Sequence, residues 1–268
     1  MRISRVLLGA SLAAVLAVPA TVISASAQTP AASGVRYVAL GDSYSSGDGA
    51  GSYGSSGSCD RSANAYPQQW ANANDPASFS FVACAGATTS DVINSQVSSL
   101  GASTTLVSIT IGGNDVGFST VMATCVLAPT STCESAVAGA DALVADVLPT
   151  ELNTVLQTVR RDAPAAKIVV LDYPELYDLS RSSGCIGLST ADRTALNQGA
   201  DQLDSAISAA AARNGDTFTD VRSPFAGHEI CDPGSWLHSV TWPLGESYHP
   251  SASGQELGYL PQFTAAAR

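Results

Sequence analysis

Residues 35–47 read VRYVALGDSYSSG, an apolar run that ends in a turn of glycine, aspartate and serine. The run over 35–40 has the length and residue types of a β-strand, and the glycine after it permits a sharp turn. Ser43 therefore lies at the carboxyl end of a predicted strand. A Ser/Gly-rich surface turn and a nucleophile held at the end of a strand both fit this stretch, and the rest of the chain decides between them.

Short strand-like segments alternate with helix-like segments along the chain. The predicted strands are 35–40, 78–84, 105–111, 167–171 and 217–221, and the predicted helices are 65–73, 89–100, 134–161 and 190–214, with a helix-compatible stretch from Ser251. Pro149 is expected to break the third helix. This alternation is typical of βαβ units, which form a mostly parallel sheet covered by helices on both faces. No repeat or linker interrupts the pattern, so we expect one α/β domain.

The N-terminal segment combines two arginines, an apolar stretch and small residues that end in Ala25-Ser26-Ala27. This arrangement predicts a signal peptide over 1–27 and a single soluble, secreted, extracellular domain over 28–268. A membrane anchor is the alternative, which Pro19 and the lack of basic residues after the apolar stretch disfavour.

The chain is acidic, with a net charge of −11 at pH 7, and Lys167 is its only lysine. A surface without a basic patch is poorly suited to bind nucleic acid or to dock on anionic lipid. We therefore expect no nucleic-acid partner, and no transmembrane anchoring because no later segment of the sequence is long and apolar enough to span a bilayer. A monomer is the default for an exported protein of this size.

Six cysteines in an exported chain predict three disulfides. Sequence alone permits 15 pairings. The short separation of Cys125 and Cys133 indicates a local link, and we favour pairing in chain order: Cys59–Cys84, Cys125–Cys133 and Cys185–Cys231. Because C-x-x-C spacing is absent, we expect no metal site.

Three glycine-bearing turns follow successive predicted strands: Gly41-Asp42-Ser43, the turn at Gly86, and Gly112-Gly113-Asn114-Asp115. In an open parallel sheet, ligands bind beyond the carboxyl ends of the strands. The three turns are therefore expected at one rim. The backbone N–H groups of Ser43 and Gly86 and the Asn114 amide are candidate donors for an oxyanion there.

A serine hydroxyl needs a base to act as a nucleophile at neutral pH. The chain has three histidines: His228, His238 and His249. His249 precedes the last helix-compatible stretch, where it can fold back over the rim, and we expect it to be that base.

These residues, in this order, resemble the four blocks of the SGNH, or GDSL-type, serine hydrolase superfamily. The blocks are a Gly-Asp-Ser nucleophile, a glycine, a Gly-x-Asn-Asp and a late Asp-x-x-His, matched here at Ser43, Gly86, Asn114 and His249. The secreted, six-cysteine layout is similar to that of the family's secreted bacterial lipases, esterases and phospholipases A1. The resemblance implies a three-layer α/β/α sandwich of flavodoxin-like type around a mostly parallel five-stranded sheet, and no cofactor.

The resemblance also implies roles for the residues. Ser43 would attack an ester carbonyl, His249 would carry the proton, and the Ser43 N–H, the Gly86 N–H and the Asn114 amide would hold the oxyanion. One position departs from the family pattern, because Glu246 stands where the family has its aspartate. Either the Glu246 carboxylate or a backbone carbonyl, of Ser247 or of Glu246 itself, would then orient His249.

The function implied is hydrolysis of fatty-acyl esters, including glycerolipids or phospholipids. An acetyl esterase acting on polysaccharide is the alternative within the same fold, and a non-catalytic secreted binding domain is a third hypothesis. Aromatic residues make up only 6% of the chain, which favours acyl chains over carbohydrate. Four apolar residues near the oxyanion turns are expected to line an acyl groove: Ala85, Ala87, Val116 and Phe118.

Overall fold

The computed structural model describes residues 33–181, 185 and 187–268, so the predicted signal peptide over 1–27 lies outside the described residues. Within them, five parallel strands form a single sheet: β1 (Ser33–Ala39), β2 (Pro76–Phe81), β3 (Leu106–Ile109), β4 (Lys167–Leu171) and β5 (Thr217–Thr219). Their spatial order is β2-β1-β3-β4-β5. This order is that of flavodoxin-like folds, in which the chain reverses direction across the sheet at β1 and β3. The predicted α/β class and parallel sheet are confirmed.

Helices cover both faces of this sheet. In chain order they are α1 (Ser43–Ser46), α2 (Tyr66–Asn74), α3 (Thr89–Asp91), α4 (Phe118–Leu127), α5 (Thr130–Asp146), α6 (Leu148–Asp162), α7 (Thr190–Asn214), α8 (Arg222–Phe225) and α9 (Leu260–Ala266). Helix α7 packs on β4 and β5, with α5 and α6 beside it, whereas α2 packs on β1 and β2 and α9 on β4 and β5 from the other face. The result is a three-layer sandwich. Among the described residues, no helix is both long enough and apolar enough to cross a bilayer.

Several elements have the bounds that the sequence predicts. Strand β4 and helix α7 begin and end at the predicted residues, and α7 is capped by the Ser189 side chain, which accepts from the Asp192 N–H. The predicted helix over 134–161 is divided at Val147, with Pro149 in the first turn of α6. Helix α4 was not predicted, and its first residue follows a glycine that offers no side-chain cap.

The end of β2 differs from the prediction in a way that shapes the site. Residues 82–84 were expected in the strand, but they curl around the end of β1. The N–H groups of Val82 and Ala83 both donate to the Ala39 carbonyl, at 3.0 and 3.1 Å. The Cys84 N–H then donates to the Gly41 carbonyl at 3.0 Å. This curl brings the turn that contains Gly86 next to the turn that contains Ser43.

Disulfides link Cys59 to Cys84, Cys125 to Cys133 and Cys185 to Cys231, which is the pairing in chain order. The first fixes the loop before α2 against the end of β2, and the second joins α4 to α5. Aromatic side chains fill the space between the sheet and helices α2 and α9, where Tyr37, Tyr66 and Phe263 are fully buried and the Phe263 ring contacts both tyrosine rings.

Candidate active site

Backbone geometry places Ser43 at the end of β1. Gly41 has a φ of +122°, and a Cβ at this position would lie 2.5 Å from the Thr110 carbonyl oxygen, so a side chain is excluded there. The Asp42 carboxylate caps α1 by accepting from the Tyr44 N–H at 3.0 Å. Ser43 is therefore the first residue of α1 and only 7% exposed.

Hydrogen bonds engage both carboxylate oxygens of Asp42. Besides the Tyr44 N–H, its carboxylate accepts from the Thr110 hydroxyl at 2.7 Å and from the Tyr173 hydroxyl. Burial raises the pKa of Asp42 to about 6, against the opposing effect of these three hydrogen bonds. With both oxygens engaged, Asp42 holds the turn and is not placed to act as a base.

Two amide side chains fasten the turn to its surroundings. The Gln96 side chain accepts from the Gly41 N–H and donates to the Gly41 carbonyl, both at 2.8 Å. The Gln255 side chain donates to the Tyr44 carbonyl at 3.0 Å. In addition, the Tyr44 hydroxyl donates to the Tyr248 carbonyl at 2.7 Å, which ties α1 directly to the loop that carries His249.

His249 lies against Ser43, as predicted: its Nε2 is 2.7 Å from the Ser43 Oγ. Burial lowers the pKa of His249 to about 4, and the nearby backbone carbonyls of Ser247 and Gly245 act in the opposite direction. The ring is therefore neutral at neutral pH, which is the form that can accept a proton from the serine. Its Nδ1 is buried and, within the described part of the chain, has no partner in normal hydrogen-bond geometry.

The other two histidines lie elsewhere. His238 Nε2 is 2.8 Å from the Gly49 carbonyl, and the His228 ring stacks on Trp236 with a centroid separation of 3.7 Å. Of the three histidines, the structure brings only His249 to Ser43.

The Glu246 side chain points away from the His249 ring. Its carboxylate accepts from the Tyr53 hydroxyl at 2.8 Å, and its backbone carbonyl accepts from the His249 N–H at 3.3 Å. Among the described residues, no hydrogen bond joins the Glu246 carboxylate to the imidazole.

The three candidate oxyanion donors lie on the turns that follow β1, β2 and β3, and hydrogen bonds link these turns. The N–H groups of Ser43 and Gly86 have no acceptor among the described residues, and Gly86 has a φ of +78° with open space where a Cβ would be. The Asn114 amide donates one N–H to the Ala87 carbonyl at 3.0 Å, which leaves its second N–H available. The Asp115 carboxylate holds this turn against the turn of Gly86 by accepting from the Thr89 N–H and hydroxyl, at 3.0 and 2.6 Å.

An apolar cleft of about 740 Å³, its open mouth included, begins at Ser43 and Asn114 and runs between α4, α5 and α7. Its walls carry Phe118, Val121, Val137, Ala140, Val144, Leu196, Ala200 and Leu203. Two residues of the predicted groove, Val116 and Phe118, line this cleft, whereas Ala85 and Ala87 are not among the residues that line it.

Sequence reasoning missed Tyr173 and the helical walls of the cleft. Tyr173 is the second residue after β4, at the same edge of the sheet as Ser43, so reading the turn after the fourth strand would have found it. The wall residues carry no comparable signal, because an apolar residue on α5 or α7 is equally typical of ordinary packing.

A serine hydroxyl hydrogen-bonded to a neutral histidine is the arrangement by which serine hydrolases activate their nucleophile, and here it lies beyond the carboxyl ends of a parallel sheet. Comparison with known proteins identifies the family within the serine hydrolases. Residues 39–257 match the model of the GDSL-like Lipase/Acylhydrolase family, so the chain belongs to that family and is a lipase or esterase.

Similar proteins come from Streptomyces. The chain is 50% identical over 258 residues to Lipase 1 of Streptomyces coelicolor, covering 96% of this chain and 95% of that protein. The crystal structure of phospholipase A1 from Streptomyces albidoflavus superimposes with a TM-score of 0.85 at 54% identity, covering 87% of this chain and all of that one. The extracellular lipase of Streptomyces rimosus has the same TM-score at 49% identity, covering 87% and 99%.

Proposed function

We propose that this protein is a secreted, monomeric enzyme that hydrolyses fatty-acyl esters, glycerolipids and phospholipids included, through an acyl-enzyme on Ser43. The observation that carries the proposal is the 2.7 Å contact between Ser43 Oγ and His249 Nε2 at the polar end of an apolar cleft. Similarity to lipases and to a phospholipase A1 supports a lipid substrate. The three disulfides and the extracellular relative support export.

In the first half-reaction, Ser43 Oγ attacks the ester carbonyl while His249 Nε2 accepts the hydroxyl proton. The negative charge that develops on the carbonyl oxygen is held by the Ser43 N–H, the Gly86 N–H and the Asn114 amide, and each such donor is typically worth about 3–4 kcal/mol of barrier. His249 then donates its proton to the leaving alcohol, and the acyl group remains on Ser43.

In the second half-reaction, a water molecule takes the place of the alcohol. His249 accepts a proton from the water as its oxygen attacks the acyl carbon, and the same three donors hold the oxyanion. The carboxylic acid leaves when Ser43 Oγ recovers the proton from His249. The low pKa of His249 keeps the base neutral at neutral pH, which is the form that accepts the serine proton.

For the residue that orients His249, we propose the Ser247 backbone carbonyl rather than the Glu246 carboxylate. The carbonyl lies close enough to raise the pKa of His249, whereas the carboxylate is hydrogen-bonded to Tyr53. A carbonyl acceptor near Nδ1 favours the tautomer with the proton on that atom, which leaves Nε2 free to accept the serine proton.

The cleft supports acyl chains over acetyl groups on polysaccharide. Apart from Asp141 on α5 and the glycine Gly199 on α7, its walls on α4, α5 and α7 are aliphatic or aromatic, and they begin where the acyl carbon of a bound ester would sit. An acetyl group would leave most of this apolar surface unused, and a polysaccharide would need more polar partners than the one carboxylate, of Asp141, on these walls.

Labelling with a fluorophosphonate probe tests the nucleophile. We expect the native protein to be labelled and inactivated, and both Ser43→Ala and His249→Ala to lose labelling and ester hydrolysis. Ser46→Ala, one turn further along α1, is the matched control. Undiminished labelling of Ser43→Ala would contradict the proposal.

A phospholipid with distinguishable acyl chains tests the substrate class. We expect release of at least one fatty acid by the native protein and none by Ser43→Ala. A protein that hydrolyses only acetyl esters, with no release of fatty acid, would refute the lipid assignment while leaving the nucleophile intact.

A further inference from the structure

Asp48 is a second carboxylate near the nucleophile, five residues after Ser43. Its Oδ2 lies 3.9 Å from Nδ1 of His249, and the two side chains are 9% and 10% exposed. The Asp48 N–H donates to the Ser43 carbonyl at 3.1 Å, so the backbone of α1 fixes Asp48 relative to the nucleophile. This carboxylate thus faces the side of the imidazole that is turned away from Ser43.

Nδ1 of His249 is the atom that lacks a normal hydrogen-bond partner. Since Nε2 accepts from Ser43, the neutral ring carries its proton on Nδ1, where it forms a buried donor. When Ser43 attacks, the ring gains a second proton and a full positive charge. A buried positive charge is costly unless an anion or a well-oriented dipole faces it.

Backbone carbonyls supply only part of the stabilisation that a buried imidazolium requires. Those of Ser247 and Gly245 present dipoles to His249, while the Glu246 carboxylate is held by Tyr53. Among the described residues, the carboxylate that lies within 4.0 Å of a ring nitrogen of His249 is that of Asp48.

Resting on the function proposed above, we propose that Asp48 is a positioning residue of this enzyme: its carboxylate, 3.9 Å from Nδ1, favours the tautomer of His249 that is protonated on Nδ1 and stabilises the imidazolium that forms as Ser43 attacks. Asp48 lies on the turn that follows the nucleophile, and it takes the role that the family gives to the aspartate three positions before the histidine. No bond is made to Asp48, and the proton stays on Nδ1 throughout.

The ionisable groups around Asp48 define its pH dependence. Burial is the largest effect and, together with the charges of Asp60 and Glu246, raises the pKa of Asp48 to about 7, while the nearby Gly49 N–H and Tyr53 hydroxyl dipoles oppose the rise. His238 lowers the pKa of His249.

The sign of the pH effect follows from the two groups. His249 becomes competent as it loses a proton with a pKa of about 4, and Asp48 becomes charged as it loses a proton with a pKa of about 7. The value of kcat/KM should therefore rise twice as pH increases, with the upper rise belonging to Asp48.

The experiment compares kcat/KM against pH for the native protein, Asp48→Asn and Asp60→Asn on a soluble short-chain ester. Asparagine keeps the shape of Asp48 and its backbone hydrogen bond but cannot become charged. We expect Asp48→Asn to lose the upper rise and to be roughly tenfold less active at about pH 8, with little change below pH 6.

Asp60→Asn is the matched control, because it removes an equal charge from the same neighbourhood. Asp60 has a φ of +47°, which asparagine tolerates. This variant should keep the upper rise but shift it to lower pH, since one like charge near Asp48 is gone. The shift is also an independent test should Asp48→Asn fold poorly.

The inference is overturned if Asp48→Asn retains the upper rise and native activity at pH 8, or if Asp60→Asn leaves the rise where it is in the native protein. Either result, obtained while Ser43→Ala and His249→Ala are inactive, removes Asp48 and leaves the proposed function standing. Full activity in Ser43→Ala or His249→Ala would instead refute the proposed function itself.

Discussion

Filling the cleft should change which acyl chains the enzyme accepts. Ala140 lies on α5 and lines the cleft opposite the residues that α7 contributes. Phenylalanine at this position would place an aromatic ring in the space between the two helices. Ala138, two residues earlier on the same helix, is exposed, so Ala138→Phe makes the same change with the side chain in solvent.

The size of the effect follows from the apolar surface of the walls. An octanoyl ester has about six more methylenes than an acetyl ester, and each methylene buried fully contributes about 0.8 kcal/mol. Because the cleft is open at its mouth, we take roughly half of that sum, about 2–3 kcal/mol, which corresponds to about a 30- to 150-fold preference for octanoate in the native protein.

A series of p-nitrophenyl esters from acetate to decanoate measures this preference directly. We expect kcat/KM of the native protein and of Ala138→Phe to rise with chain length, and Ala140→Phe to lose most of the rise, to below about tenfold. Hydrolysis of acetate should be nearly unchanged, because Ala140 belongs to α5, whereas the reacting groups belong to the turns at the edge of the sheet.

Equal losses on acetate and octanoate in Ala140→Phe would refute the reasoning, because they would report a damaged fold or a disturbed nucleophile rather than a filled acyl site. An unchanged chain-length profile would refute it in another way, because acyl chains would then bind outside this cleft. Thermal unfolding of both variants distinguishes a folding defect from the specific effect.

Three further predictions concern residues around the site and the disulfides. Glu246→Ala should reduce kcat by less than about tenfold, because the carboxylate is bound to Tyr53; a loss of several orders of magnitude, as when a triad carboxylate is removed, would contradict this. Tyr173→Phe should lower the free energy of unfolding by about 1–3 kcal/mol in a urea titration, since the hydroxyl donates to Asp42 and accepts from the Gly113 N–H at 3.2 Å; an unchanged midpoint would count against that network. Replacing both cysteines of Cys185–Cys231 by serine should lower the free energy of unfolding by about 4 kcal/mol, and the same change in Cys125–Cys133 should lower it by about 2.5 kcal/mol. The difference arises because the closed loops span 46 and 8 residues. A larger loss for Cys125–Cys133 would exclude loop entropy as the dominant effect.

The sequence predicts those parts of the fold in which local signals and burial agree. The strand over 167–171 is a continuous run of apolar residues, and helix α7 has a capping serine before it and a glycine in left-handed conformation after it. Helix α4 lacks such signals, because it follows a glycine and contains β-branched residues that are also common in strands. The curl after β2 depends on two N–H groups sharing one carbonyl of β1, and no local pattern encodes such a contact.

The sequence predicts those parts of the candidate site that follow from the topology of the sheet. The switch-point rule for parallel sheets brings the turns of Ser43 and Asn114 together as soon as the strands are identified. The contact between Ser43 and His249 spans 206 residues, and the family motif supplied it in advance. The cleft needs the relative positions of three helices, one of which the sequence did not reveal. Its walls therefore became visible only in three dimensions.

The two carboxylates near His249 show why position in a motif does not decide a role. Glu246 stands where the family has its aspartate, yet the 3₁₀ turn over Leu244–Glu246 carries its side chain to Tyr53. Asp48 stands outside the late motif, yet α1 and its left-handed cap at Gly47 turn it back toward the imidazole. A carboxylate stabilises the charged transition state according to its distance from the imidazole and its burial. The path of the backbone therefore determines which of the two carboxylates stabilises the His249 imidazolium. This geometry therefore requires different outcomes for the two variants: Asp48→Asn should alter the pH profile of kcat/KM, and Glu246→Ala should leave it nearly intact.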